Sequence, residues 1–296
     1  MGRPVKPLAS LGCDLPLELL SATGRYAGPL AFDADRPAPK AERWLESKFA
    51  PWASQILEDW AAGALDQLDA VLFSRGDDSC QRLYYYLCEL RRTGEVEGPE
   101  PLIFDVGHIP RGTSVAGTVD AVRRLNARLG VTEAALAAAM ADAPAADIVP
   151  SDSDPLCLLA GTLPPDRRLH EAIEGCGWGA YGETLPENWQ RRAPEVEAEA
   201  GDSFHRLGQR LHAATIGPRA FFDRVERLSS RIDETGATAV VLWFCEHDEA
   251  EVWHAPALRR ALDARAIPYL FLARRDWRAA DGAIEEIRAF LGELPR

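Results

Sequence analysis

The sequence predicts an α/β protein of two Rossmann-like lobes, each a parallel sheet of about four strands flanked by helices, with a cleft between them. Three observations carry that expectation. Short apolar runs alternate with stretches of helical periodicity through both halves of the chain, the pattern of parallel strands joined by crossover helices. The 296 residues exceed the usual size of one domain, about 150 residues. A stretch of Ala, Pro, Asp and Ser at 141–155 interrupts the series, and such composition marks a join. The expected lobes are therefore 1–150 and 151–296.

In the first lobe the strands read from the sequence are "PLASLG" (7–12), "GPLAFD" (28–33), "LDAVLFS" (68–74) and "PLIFDVG" (101–107). Each is a short apolar run bounded by turn residues. Helical patterns lie between them at about 15–23, 40–62 and 78–92. After the fourth strand, Val115, Val119, Val122, Leu125 and Leu129 fall at three- and four-residue steps, the apolar stripe of an amphipathic helix. Thr132 and Glu133 open a second, alanine-rich helix to about 142. The second lobe restarts with the strand "PLCLLAGT" (155–162), a helix at about 166–175 and the strand "WGAYGE" (178–183). "TLPENWQRRAPEVEAEAGD" (184–202) is polar and proline-bearing, so it reads as a loop. Helices at about 203–213 and 218–235 precede the run 239–244, which is too short for a helix and rich in β-branched and aromatic residues, hence a central strand. A helix at 255–265, the strand "PYLFLA" (268–273) and a helix with Ile284, Ile287, Phe290, Leu291 and Leu294 on one face complete the series.

The net charge of −13 and pI near 5.0 argue against nucleic acid as the partner, because phosphate-backbone binding needs a basic face. No run approaches the roughly 18 to 20 apolar residues of a membrane span. The start, "MGRPVKPLASLGCD", has no apolar core of a secretory signal. No membrane association and a cytoplasmic location are the expectations. The six cysteines are scattered with no CxxC pair, which weighs against a disulfide framework or a compact zinc motif.

No GxGxxG follows the first strand, and GxxxxGK[ST], GxSxG and HExxH are absent. Dinucleotide and P-loop readings therefore lack a phosphate-cradling loop at the first strand, and the common hydrolase signatures are missing. What remains are three loops at strand carboxyl ends, where open α/β sheets bind ligands. "SRGDDSCQRLYYYL" (74–87) places Asp77, Asp78 and Arg82 at the start of a helix, where the acids read first as helix caps. "DVGHIPRGT" places His108 and Arg111 on the next loop. "VVLWFCEHDEAEVW" ends its strand on Cys245, followed by Glu246 and His247; Cys245, His247 and His254 could supply metal ligands, or the cysteine could be merely buried. Tyr84, Tyr85 and Tyr86 read as helix packing rather than as a stacking platform.

In chain order these segments resemble the D-component family of 2-hydroxyacyl-CoA dehydratases and benzoyl-CoA reductases. "PLELLSATGRYAGPLAFD" is similar to the family's opening, and "LDAVLFSRGDDSCQRLYYYLCEL" to its strand followed by Cys-Asp-x-x-x-Arg-Leu-Tyr. "LIFDVGHIPRGT" with its following helix, "PLCLLAGTLPPDRRLHEAIEGCGWGAYGE" and "AVVLWFCEHDEAEVWHAPALRRALDARAIPYLFL" match later segments. Each match is weak alone; their order and spacing over nearly the whole chain carry the resemblance.

The resemblance implies two α/β lobes, an acyl-CoA substrate and a [4Fe-4S] cluster held by three cysteines in the cleft. Thiolates hold and tune such a cluster, and radical chemistry on a thioester needs the cofactor. This chain departs from the pattern. The first ligand position is Ala50, before Pro51; the second is Asp77, before Asp78; only the third is a cysteine, Cys245. Cys80, three residues past the second position, is expected to face elsewhere. Ala273 stands where an acid commonly follows the last strand, and the Gln-x-x-Thr-Arg pattern before the final helix is absent. The expected protein is a cluster-poor or non-catalytic partner of a cluster-bearing homologue, without a resident cofactor unless a partner or atypical ligands complete the site. Its cleft, with Asp77, Asp78, Arg82, His108, Arg111, Glu246 and His247, would admit an acyl-CoA. The alternatives are a non-redox or mononuclear-metal enzyme using Asp77, Cys245 and His247, and a scaffold without a ligand.

Overall fold

The computed structural model describes residues 5–46, 49–142, 155–196, 201–218, 220 and 222–295. In chain order the first elements are β1 (Leu8–Leu11), α1 (Leu17–Ser21), β2 (Tyr26–Pro29), a 3-10 turn (Ala41–Arg43), α2 (Pro51–Ala61), β3 (Ala70–Ser74) and α3 (Asp78–Thr93). Then come β4 (Glu100–Phe104), α4 (Gly112–Leu129), α5 (Glu133–Ala141), β5 (Leu156–Gly161), α6 (Arg168–Glu174), β6 (Gly179–Tyr181) and α7 (Leu185–Trp189). The last are α8 (Ser203–Ala213), α9 (Arg224–Thr235), β7 (Ala239–Cys245), α10 (Glu249–Val252), α11 (Ala255–Ala264), β8 (Tyr269–Arg275) and α12 (Ala283–Glu293). The fold is α/β, with two four-stranded parallel sheets flanked by helices, ordered β2-β1-β3-β4 and β6-β5-β7-β8. Both sheets thus reverse winding direction beside their first strand, between β1 and β3 and between β5 and β7.

The chain divides into two compact units, Met1–Ala146 with Asn188–Phe221, and Asp147–Glu187 with Phe222–Arg296. The join read at 141–155 falls mostly on 143–154, outside the described residues. Residues 188–221, which the sequence reading gives to the second lobe, group with the first unit. The reason is the apolar face of α8: Leu207 and Leu211 are buried beside Val122 and Leu125 of α4. Gly208 permits this approach, since a Cβ there would lie 2.6 Å from Val119 Cγ2. Trp189 adds an anchor, packing edge-on against Phe32 and Trp52 with centroids 5.5 and 5.2 Å away.

Leu8, Leu19, Leu72 and Phe104 fill the first core together with these helices. The second core gathers Leu158, Leu228, Ile232, Val240, Leu242, Phe244 and Leu262. All seven residues of β7 are buried, as expected for a strand covered on both faces.

Four local readings change. The pattern at 40–62 is a 3-10 turn and a separate α2, because Pro51 lacks an N–H and disfavours helical geometry at Ala50, whose ψ is 139°. β2 ends at Pro29 rather than starting at 28, its Tyr26 hydroxyl lying 2.7 Å from Ser10 Oγ. Part of the 184–202 loop is α7: Thr184 and Glu187 close a capping box, the Thr184 N–H donating to Glu187 at 2.7 Å and the Glu187 N–H to Thr184 Oγ1 at 3.4 Å. The helix read from 218 starts at Arg224, where Asp223 caps it by accepting the Val225 and Glu226 N–H groups. Among the described residues no helix is long and apolar enough to cross a membrane.

Candidate functional site

Each unit gathers polar groups at the carboxyl edge of its sheet, beside the strand reversal where α/β sheets place ligands. In the first unit, the strand-end loops after β1, β3 and β4 supply Cys13 and Asp14, Ser74 to Asp77, and His108. Asp14 is 3% exposed and adopts φ 55°, a conformation that costs a non-glycine residue strain and concentrates at functional sites. His108 Nε2 lies 3.4 Å from Asp14 Oδ2, with the two side chains 7% and 1% exposed. Cys13 Sγ is 4.0 Å from the same oxygen.

Asp77 caps α3. Its Oδ1 accepts the Cys80 N–H at 2.7 Å. Desolvation nonetheless raises its carboxyl above the usual range, outweighing the two hydrogen bonds from Cys80. Cys80 is fully buried and its thiol points at Leu11 O, 3.7 Å away. Burial first, and the Asp77 charge second, push that thiol well above its usual pKa, so it is neutral. Asp78 is exposed in the first turn of α3. Arg82 is exposed on the same helix, its guanidinium 6.0 Å from the Phe49 ring centroid. Arg111 is exposed just ahead of α4, its N–H bonded to Ile109 O at 2.8 Å.

Ala50, buried, is the N-cap of α2, and its N–H donates to Ser79 Oγ at 3.2 Å. The two positions that the family resemblance marks as thiolates are thus both helix N-caps, joined through Ser79. Of the tyrosines, Tyr84 and Tyr86 pack on Phe73 and Phe49, while Tyr85 is 53% exposed against Tyr84.

In the second unit Thr162 is the hub. Its hydroxyl donates to Asp248 Oδ2 at 2.9 Å and accepts the Cys245 N–H at 3.2 Å. Its own N–H donates to Trp243 O at 2.7 Å. Gly161 makes this crossing feasible: φ is 109°, and a Cβ would lie 2.1 Å from Trp243 O. Cys245 is 3% exposed, and burial and then the Asp248 charge hold its thiol protonated. Glu246 is exposed and pairs with Arg274 at 3.5 Å. His247 sits edge-on to Trp277, centroids 6.0 Å apart, and burial lowers its pKa to about 4. It is neutral at pH 7.

The structure brings His108 to Asp14, beside Gly76, in the unit that also holds Asp77, while Cys245 and His247 lie in the other unit. Sequence reasoning missed Asp14, Cys13 and Thr162. The signal for Asp14 was present, since "LGCDLP" puts an acid directly after an apolar run. Among the described residues, no group of three or more His, Cys, Asp or Glu side chains is arranged to hold a metal ion. No family model matches the chain, and no curated protein does.

Proposed function

We propose that this chain is a cluster-poor subunit of an assembly of the 2-hydroxyacyl-CoA dehydratase and benzoyl-CoA reductase type. In this reading it works beside a homologous cluster-bearing subunit and binds an acyl-CoA. The observation that carries the reading is the pair of linked N-caps at Ala50 and Asp77, at the positions where the resemblance expects two thiolates. A methyl group offers no lone pair. The Asp77 oxygen already accepts the Cys80 N–H, which leaves Cys245 as the one thiol at the three positions. A [4Fe-4S] cluster requires several thiolates, so this donor set does not fit one. The shared strand order of the two sheets supports the two-lobed framework on which the resemblance rests.

Anaerobic purification of the chain, alone and with a cluster-bearing homologue, followed by iron and sulfide analysis, tests the reading. The expected result is no stoichiometric iron on this chain alone, iron in the complex, and a rise in thermal stability with acyl-CoA. A stoichiometric [4Fe-4S] cluster on the isolated chain would sink it. One bound metal that is lost in Cys245→Ala would replace it with the mononuclear-metal enzyme. Neither complex formation nor any acyl-CoA response would leave the scaffold.

A further inference from the structure

We propose that the first unit carries an acid–base site in which the His108 imidazole exchanges a proton with a carbon acid next to a carbonyl or thioester, Asp14 being its positioning residue. The thioester as substrate class rests on the acyl-CoA reading above; the pair itself rests on geometry.

Asp14 follows β1 and His108 follows β4, so loops from separate strands bring them together at the ligand-binding edge. Asp14 Oδ2 faces His108 Nε2 at 3.4 Å. Asp14 Oδ1 and His108 Nε2 are buried without a hydrogen-bond partner, and a buried unpaired acceptor is costly. The surroundings are shaped around this carboxylate. A Cβ at Gly217 would sit 1.9 Å from Asp14 Oδ2, and one at Gly76 3.3 Å from it. Two other segments thus omit a side chain where the carboxylate lies.

The loop holding His108 is pinned on both sides. The Gly107 N–H donates to Thr118 Oγ1 at 3.0 Å, and His212 Nε2 bonds Ile109 O at 3.0 Å. The His108 side chain is 7% exposed against 1% for Asp14, so the imidazole, and not the carboxylate beneath it, keeps a narrow access to the surface beside the exposed Ile109 and Arg111. A buried acid 3.4 Å from the ring is placed to orient it once the pair closes to hydrogen-bond distance around a substrate, as catalytic pairs do. The step balances without an oxidant or reductant. A C–H bond α to the thioester breaks, its proton goes to the imidazole, and the electron pair delocalises onto the carbonyl oxygen. Return of a solvent-derived proton to carbon completes the exchange.

The experiment incubates the full chain in deuterium oxide with butyryl-CoA and, separately, with the butyryl thioester of N-acetylcysteamine, following the α-methylene proton signal. Both esters are expected to lose it faster than without protein. His108→Gln is expected to slow the loss at least about 100-fold. Asp14→Asn is expected to lower the maximal rate about 10-fold at unchanged half-saturation. Added imidazole is expected to restore exchange in His108→Gly, which a purely structural histidine would not allow. Exchange of the small thioester without butyryl-CoA binding supports the pair and removes the acyl-CoA reading. Binding of butyryl-CoA with exchange of neither ester overturns the pair and leaves that reading. Neither binding nor exchange overturns both. If the variants fail to fold, carbethoxylation of His108 in the wild-type chain replaces them, and undiminished exchange after complete modification overturns the pair.

Discussion

Arg210 reaches the Glu18 carboxylate at 3.2 Å, with side chains 5% and 0% exposed, inside the first unit. The same guanidinium donates to Ala193 O at 2.6 Å and to Pro194 O at 3.2 Å. One cation therefore ties α1, α8 and the chain at 193–194 into a unit whose described strands all lie before residue 105. Burial raises the Glu18 carboxyl pKa despite the Arg210 charge, so desolvation outweighs attraction here. Arg210→Met should lower stability by about 3–5 kcal/mol, because it strands a buried acid. Glu18→Leu with Arg210→Met should recover most of that loss in urea unfolding. Equal loss in the single and double variants would contradict this account.

His247 makes the second unit acid-sensitive. A histidine whose folded pKa is about 4 against about 6.5 unfolded favours the neutral ring in the folded state. Its contribution is fully present above pH 6.5 and is lost as pH falls from there toward 4. The full loss is on the order of 3 kcal/mol. Denaturant midpoints followed by tryptophan emission should fall across that window, and His247→Leu should flatten the fall.

Gly161→Ala should disable the second unit. The new methyl would meet the Trp243 carbonyl at 2.1 Å, and that carbonyl is held by the Thr162 N–H. Overpacking combined with a disfavoured backbone conformation should cost at least about 3 kcal/mol. A thermal unfolding transition unchanged from wild type would contradict the crossing geometry.

Thiol reactivity should separate the cysteines. Cys88 and Cys176 are partly exposed, whereas Cys13, Cys80, Cys157 and Cys245 are buried. Burial pushes the Cys157 thiol up to about 12 and the Cys245 thiol higher still. Since the thiolate is the nucleophile, iodoacetamide at pH 8 should label Cys88 and Cys176 first, as read by peptide mapping. The other four should react only after unfolding.

Strand positions were legible because each strand is a short apolar run between turn residues. "LDAVLFS", "PLCLLAGT" and the run at 239–244 needed no distant information. The capping box at Thr184 and Glu187 was missed, because the surrounding prolines and charges made 184–202 read as a loop. His108, Cys245 and His247 could be picked out as strand-end residues. Their neighbours could not, since Thr162 meets Asp248 across 86 positions and Asp14 meets His108 from a different strand.

The sequence by itself determined two series of parallel strands with crossover helices, because hydrophobic period and turn residues act over a few positions. Only the tertiary structure decided that residues 188–221 join the first unit, that Ala50 and Asp77 are linked helix caps, and that Asp14 lies under His108. Those relationships depend on which strands become neighbours and which helix face finds a partner. Both are set by packing between distant segments, which no local pattern encodes.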